Sequence, residues 1–278
     1  MADQHYHVIY KYLRSHKKFP SVWCPGCGIG IVLGAIVRAV DHLGLSKDDV
    51  AMVSGIGCSG RMPVYVDFNT MHTTHGRALP FATGLKLAKP NMKVIVVMGD
   101  GDALAIGGNH FIHTCRRNID LTTIIINNSI YAMTGGQVSP TTPFDSLATT
   151  ATYGNIERPF DIAAMAEVAG AAMVARGTVY HAMELERLVV AGLEKKGLSV
   201  LEVISHCHVA YGRLNRAGSA VEMMKWQRQN TISVEQADTP GAQGKILRGI
   251  LVDRDIPEYV ERYQSLRERA QGQAVAIP

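Results

Sequence analysis

The chain has no apolar run long enough to cross a membrane. Its longest, Ile29 to Val40, falls short of the about 20 residues that a span needs, and it contains Arg38. The N-terminus, Met1-Ala2-Asp3-Gln4-His5, is polar and lacks the apolar core of a signal peptide. Both absences lead us to expect a cytoplasmic protein. Net charge is also low, at +4. Nucleic-acid-binding domains carry a stronger basic bias, so no nucleic-acid partner is expected. Phe and Trp are scarce, at 6 and 2, whereas Gly reaches 27. That balance suits an α/β sheet with Gly-rich loops better than a β sandwich. No internal repeat or low-complexity run is visible. There are five cysteines. In a reducing compartment they are poor disulfide candidates, and metal ligation or redox chemistry becomes the better reading.

What the chain does have is alternation. Val50 to Ser54, Lys93 to Met98, Leu121 to Asn127, Ala171 to Ala175 and Leu198 to Ser205 read as strands, because their apolar runs are short and β-branched. Between them, Ala78 to Lys89, Ala103 to Arg117, Phe160 to Val168 and Tyr180 to Lys196 read as helices. Such alternation implies a doubly wound, mostly parallel sheet with ligands at the carboxyl ends of its strands. Residues 1–216 are expected to form that domain. Residues 217–278 are more charged and read as an extended or helical C-terminal arm, packed on the domain or on a partner subunit.

The strand from Lys93 to Met98 runs into Gly99-Asp100-Gly101-Asp102, and the next strand ends in Asn127-Asn128. Glycines let backbone N–H groups approach a diphosphate, and the following helix N-terminus favours its charge. Asp100 can hold a divalent cation, with oxygens added by Asn128 and by the carbonyl of Ile130; magnesium favours such oxygen ligands. The bland alternative is a βα turn that uses Gly and Asp for its geometry alone.

Cys24-Pro25-Gly26-Cys27 is a CxxC in a turn before a helix. Cys58 lies in a Gly-rich strand-end loop, and Cys207 follows another strand. Cys115 sits inside a helix and reads as core. Four thiolates can hold a [4Fe–4S] cluster or a structural zinc, and Cys24 with Cys27 could also form a redox pair. Spacing alone leaves cluster and zinc open. A second CxxC, which would favour a zinc ribbon, is missing.

The GDG and NN pair resembles the thiamine-diphosphate binding motif, and by that resemblance Asp100, Asn128 and the Ile130 carbonyl are magnesium ligands. A one-electron acceptor beside that cofactor favours the cluster. Several longer motifs are specific: WCPGCG (Trp23 to Gly28), GIGCSGR (Gly55 to Arg61), HTTHGRA (His72 to Ala78), GDGDALAIGGNH (Gly99 to His110) and NNSIYAMTGGQVSPTT (Asn127 to Thr142). Over about residues 20–213 the chain resembles the β subunit of the 2-oxoacid:ferredoxin oxidoreductases. The Ala-Ile-Gly-Gly-Asn-His run is most similar to their 2-oxoglutarate branch. The resemblance implies a fold of the thiamine-diphosphate-binding type and cluster ligands at Cys24, Cys27, Cys58 and Cys207. It further implies that Ile56, Gly57, Cys58, Ser59, His75, Gly76, Arg77, Ala78, Gly101, Asp102, Ala132 and Met133 line the thiamine. One departure is His208-Val209 after Cys207, where Cys-Pro is the commoner start of the loop.

The implied reaction is oxidative decarboxylation of 2-oxoglutarate, with coenzyme A accepting the acyl group and ferredoxin the electrons. Pyruvate or a branched-chain 2-oxo acid is the alternative substrate. Thiamine enzymes activate the cofactor with a glutamate. No Glu precedes Glu157, and the later ones are expected in surface helices or the arm. The activating glutamate is therefore expected from an α subunit, in an αβ or doubled assembly. Arg61 is a candidate for the distal carboxylate of the substrate, since Arg binds carboxylates bidentately; a surface Arg is the plain alternative. His75 is a candidate acid–base or cofactor contact, His72 a plainer polar group, and His42 and His181 ordinary helix surface. The basic run Lys11, Arg14, Lys17 and Lys18 could steer an acidic ferredoxin, or be a solvated face. Two rivals remain. One is a thiamine enzyme without a cluster, which leaves the loop cysteines unexplained. The other is a zinc-stabilised, non-catalytic binding subunit, which leaves the GDG and NN loops unexplained.

Overall fold

The computed structural model describes residues 8–16 and 20–272. Its centre is an eight-stranded sheet: β1 (Val50–Ser54), β2 (Asn69–His72), β3 (Lys93–Gly99), β4 (Thr122–Asn127), β5 (Met173–Thr178), β6 (Ser199–Ile204), β7 (Thr231–Ser233) and β8 (Ile246–Asp253). The order is β2-β1-β3-β4-β6-β5-β8-β7. The first six strands are mutually parallel, and β8 joins β5 antiparallel. Helices cover both faces: α1 (Val8–Tyr12), α2 (Ile29–His42), α3 (Ala78–Ala88), α4 (Gly108–Arg117), α5 (Ile162–Val168), α6 (Ala182–Glu194), α7 (Ala220–Asn230) and α8 (Tyr259–Gly272).

Strand periodicity divides the core in two. Ile95, Val97, Ile124 and Ile126 face α2 and α6. Their neighbours Val94, Val96, Met98 and Ile125 face α3, α4 and α5. Both faces of β3 and β4 are thus covered, which is why those strands are continuous apolar runs. Register brings the strand tips to one edge: Ser54 pairs with His72 and Val97, Gly99 with Ile126, and Asn127 with Ile204. The loops after Ser54, His72, Gly99, Asn127 and Ile204 leave from that edge. None of the described helices is long and apolar enough to cross a membrane.

Three features depart from expectation. The segment read as one helix over 103–117 is divided into a π-helical turn, Asp102–Ile106, and α4. A Cβ at Gly107 would lie 2.3 Å from the Asp102 carbonyl oxygen, so the wide turn closes only around glycine. Such turns recur at functional sites. Second, β2 is polar and largely exposed. It is held by pairing with β1 and by Asn69, whose amide donates to the Val50 carbonyl over 3.1 Å. Third, the C-terminal arm is built into the sheet through β8. A capping box of Ser219 and Glu222 starts α7. The buried Glu258 accepts the N–H groups of Val260 and Glu261 at 2.7 and 2.8 Å to start α8.

Candidate functional site

Asp100 stands at the tip of β3 and is 3% exposed. Its Oδ2 accepts the hydroxyls of Ser139 (2.7 Å) and Thr141 (2.5 Å). Burial pushes its carboxyl above the usual carboxylate range, against those two bonds. At the neighbouring tip, the Asn128 side-chain oxygen is buried without a partner among the described residues. Ile130 is buried two positions on. An acidic oxygen and an orphaned amide oxygen on adjacent strand ends fit a divalent cation, which would satisfy both.

Beside them, Asp102 is 2% exposed. Its Oδ1 accepts the N–H of Gly76 (2.7 Å) and of Ile56 (3.3 Å) and lies 2.7 Å from His75 Nδ1. Burial raises the Asp102 carboxyl, opposed by the Gly76 N–H and His75. One carboxylate therefore staples the Gly55 loop to the Gly76 turn. A Cβ on Gly55 would sit 1.9 Å from Asp102 Oδ2, and one on Gly101 would sit 2.2 Å from the Tyr131 ring. The Tyr131 hydroxyl donates to the Gly101 carbonyl over 3.1 Å. Ser59 and Ala78 are buried, whereas Ile56, Arg77 and Met133 are exposed and Gly57 and Ala132 lie between. Arg77 contacts the His110 ring. Arg61 is exposed in the turn that follows Cys58. His72 ends β2 against the Ser54 hydroxyl at 2.9 Å. His181, expected to be plain surface, instead places Nδ1 2.8 Å from the Thr178 hydroxyl at the start of α6. In the basic run, Lys11 pairs with Asp41, and Arg14 bonds the Val66 carbonyl and Thr70. Lys17 and Lys18 lie outside the described residues.

The CxxC turn closes with the Cys27 N–H donating to the Cys24 carbonyl over 2.9 Å. Burial pushes the Cys58 thiol up to about 11, with the negative charges of Cys27, Cys207 and Cys24 adding to it. Cys27 is likewise raised, by burial first and then by Cys207 and Cys24. Bonds beside the cysteines, from the Trp23 indole N–H to the Cys58 carbonyl and between the His206 ring and the Gly26 carbonyl, tie the CxxC turn to the loops that carry Cys58 and Cys207. Cys207 Sγ accepts the Ala210 N–H at 3.3 Å, at the head of a second π-helical turn, His208–Gly212. Cys115 is fully buried, and burial alone pushes it up to about 12. Among the described residues, no three His, Cys, Asp or Glu side chains form a site for a single metal ion.

A family model described as the C-terminal TPP binding domain of thiamine pyrophosphate enzymes matches residues 49–203. The chain is 47% identical over 270 residues to the 2-oxoglutarate synthase subunit KorB of Methanocaldococcus jannaschii, covering 96% of this chain and 100% of that one. The chain belongs to the KorB family. A second KorB, from Methanothermobacter marburgensis, is 49% identical over 94% of this chain and 93% of its own. Among solved KorB-like structures is a 2-oxoglutarate:ferredoxin oxidoreductase from Magnetococcus marinus with 2-oxoglutarate, coenzyme A and succinyl-CoA bound. It is similar with a TM-score of 0.85 and 32% identity, over 96% of this chain and 91% of that chain.

Several residues of this KorB-type site escaped sequence reasoning. Ser139 and Thr141 lay inside a quoted motif but carried no assigned chemistry. Trp23 donates to the Cys58 carbonyl, and the His206 ring nitrogen Nε2 lies 2.8 Å from the Gly26 carbonyl. The expectation that all glutamates lie in surface helices or the arm needs correction. Glu202 is in β6 and 4% exposed, its carboxylate bound by Asn127 and Arg176. An acid in a strand that is otherwise apolar survives there because its charge is paired.

Proposed function

We propose that this chain is the β subunit of a 2-oxoglutarate:ferredoxin oxidoreductase, converting 2-oxoglutarate and coenzyme A to succinyl-CoA and carbon dioxide while reducing ferredoxin, reversibly. The observation that carries the reading is that the strands followed by Cys58 and Cys207 end at the same sheet edge as those followed by Asp100 and Asn128, with the CxxC turn hydrogen-bonded to both cysteine loops. Asp100, Asn128 and the Ile130 carbonyl would hold magnesium and through it thiamine diphosphate. The Gly55 loop, the Gly76 turn and residues 101–102 and 132–133 would flank the thiazolium. Thiamine diphosphate supplies the carbanion chemistry of decarboxylation, and a [4Fe–4S] cluster supplies one-electron capacity.

The chain's own contribution is positioning. Ser139 and Thr141 orient the Asp100 carboxylate, and Asp102 sets the two loops across the thiamine. Four loop cysteines with a single CxxC among them support a cluster over a zinc ribbon. No glutamate precedes Glu157, so none lies in the loops that directly follow β1, β2 and β3, which supports an α subunit as the source of the activating glutamate. The test is anaerobic purification of the αβ complex, with iron, sulfide, zinc and thiamine quantified. About four irons per chain with stoichiometric thiamine, and ferredoxin reduction dependent on both coenzyme A and 2-oxoglutarate, are expected. Zinc in place of iron would reject the cluster. Faster turnover of pyruvate or a branched-chain 2-oxo acid would reject the substrate.

A further inference from the structure

Glu202 lies one layer behind the metal loop. Its Oε1 accepts the Asn127 side-chain N–H over 2.8 Å, and its Oε2 accepts Arg176 Nε over 2.7 Å. Arg176 continues the network to Asp161, the residue capping α5, over 2.7 Å. The other end of the Asn127 amide, Oδ1, accepts the Ser129 N–H over 3.2 Å. Ser129 takes a left-handed backbone with φ of +60°, a conformation that costs a non-glycine residue energy unless its surroundings enforce it. That turn presents Asn128 on one side and Ile130 on the other. The Ser129 carbonyl in turn accepts the Thr142 hydroxyl over 2.7 Å, in the segment whose Ser139 and Thr141 bind Asp100.

An asparagine amide has two ends of nearly equal shape, and packing cannot tell them apart. A carboxylate can, because it only accepts. Glu202 therefore fixes which end of Asn127 faces Ser129. With the amide reversed, two N–H groups would oppose each other and the left-handed turn would lose its support. Asn127, Arg176 and Glu202 also border a cavity of about 980 Å³.

We propose that Glu202 is a positioning residue for the magnesium–diphosphate loop, acting through Asn127. This rests on the reading of Asp100, Asn128 and Ile130 as that loop. Partners behind a metal's own ligands typically change its affinity by about 10–100-fold when removed.

The test uses the assembled αβ complex, with Mg²⁺ titrated at fixed thiamine diphosphate and binding followed by calorimetry. Glu202→Ala is expected to raise the half-saturating Mg²⁺ by about 10–100-fold. The double variant with Asn127→Ala is expected to lose no more than Asn127→Ala alone, because Glu202 acts through Asn127. Asp161→Asn removes the outer ion pair with Arg176 but keeps an oxygen to cap α5 and leaves Glu202 paired and bonded to Asn127, so it should leave Mg²⁺ half-saturation in place. Should Glu202→Ala fail to assemble, Glu202→Gln replaces it. It fills the same space but no longer only accepts, and it should weaken Mg²⁺ in the same direction. Unchanged Mg²⁺ dependence in the Glu202 variants, or an equal shift in Asp161→Asn, overturns the proposal. A wild-type complex that binds thiamine diphosphate without any divalent ion would instead remove the metal loop, and the proposal with it.

Discussion

Trp23 donates its indole N–H to the Cys58 carbonyl over 2.8 Å, across 35 positions of sequence. The bond ties the CxxC turn to the loop of the third cysteine. The turn is tied on its other side by the 2.8 Å contact between His206 Nε2 and the Gly26 carbonyl. The loops carrying three of these cysteines, and the strand end carrying the fourth, are thus joined by hydrogen bonds of the protein itself. Trp23→Phe keeps an aromatic ring against Tyr65, 5.0 Å away between centroids, but loses the bond, worth about 1 kcal/mol. Iron content on anaerobic purification should be unchanged, whereas iron release to a chelator should be several-fold faster. Identical release time courses would dismiss this role.

The Asp102 carboxyl is raised by burial, and the sign of its effect on stability follows. The folded value lies above the unfolded one, so folding takes up a proton between the two. Stability therefore falls as pH rises through that interval, and the penalty persists above it. Asp102→Asn keeps an oxygen for the N–H groups of Gly76 and Ile56 and removes the buried charge. Without cofactor, the variant should melt higher than the wild type at neutral pH, with the two curves converging in acid. A melting difference that is constant with pH would contradict this assignment.

Gly101 tests the close approach beside the diphosphate. Gly101→Ala puts a carbon 2.2 Å from the Tyr131 ring, so the ring must leave and its bond to the Gly101 carbonyl breaks. Thiamine diphosphate binding should weaken by about tenfold, the loss expected for about 1.4 kcal/mol. As a control, a Cβ on Gly84 in α3 meets nothing within 4 Å. Gly84→Ala should raise stability by up to about 1 kcal/mol and leave binding alone.

Arg61 is exposed in the turn after Cys58 and ready to meet a ligand from the open side. Arg61→Gln should raise KM for 2-oxoglutarate by at least about tenfold, since a charge-assisted bond is worth about 1.5–3 kcal/mol, with little change for pyruvate. Steady-state kinetics on both substrates decide the matter, and equal losses would remove Arg61 from substrate recognition.

Much of this architecture can be read along the chain, for a physical reason. Strands buried on both faces must be apolar throughout, so β1, β3, β4 and β6 stand out as short β-branched runs. The Asp100 and Asn128 loops are legible because diphosphate chemistry demands those residue types where strands end. What is not legible depends on distant partners. β2 is polar and exists because β1 offers it an edge. The break before α4 is invisible in Ala-Leu-Ala-Ile-Gly-Gly, a helix-compatible string, because the Asp102 carbonyl decides it by crowding Gly107. Glu202 hides within an apolar strand, and its partner Arg176 is 26 residues away on β5.

The antiparallel pairing of β8 with β5 has a practical consequence. A shortened chain ending at Arg216 would retain every cysteine together with Asp100, Asn128 and Ile130, yet it would bare one whole side of β5. Unpaired strand margins of that kind recruit other chains. Such a truncation should therefore yield aggregates, and any minimal catalytic fragment must extend at least through Asp253.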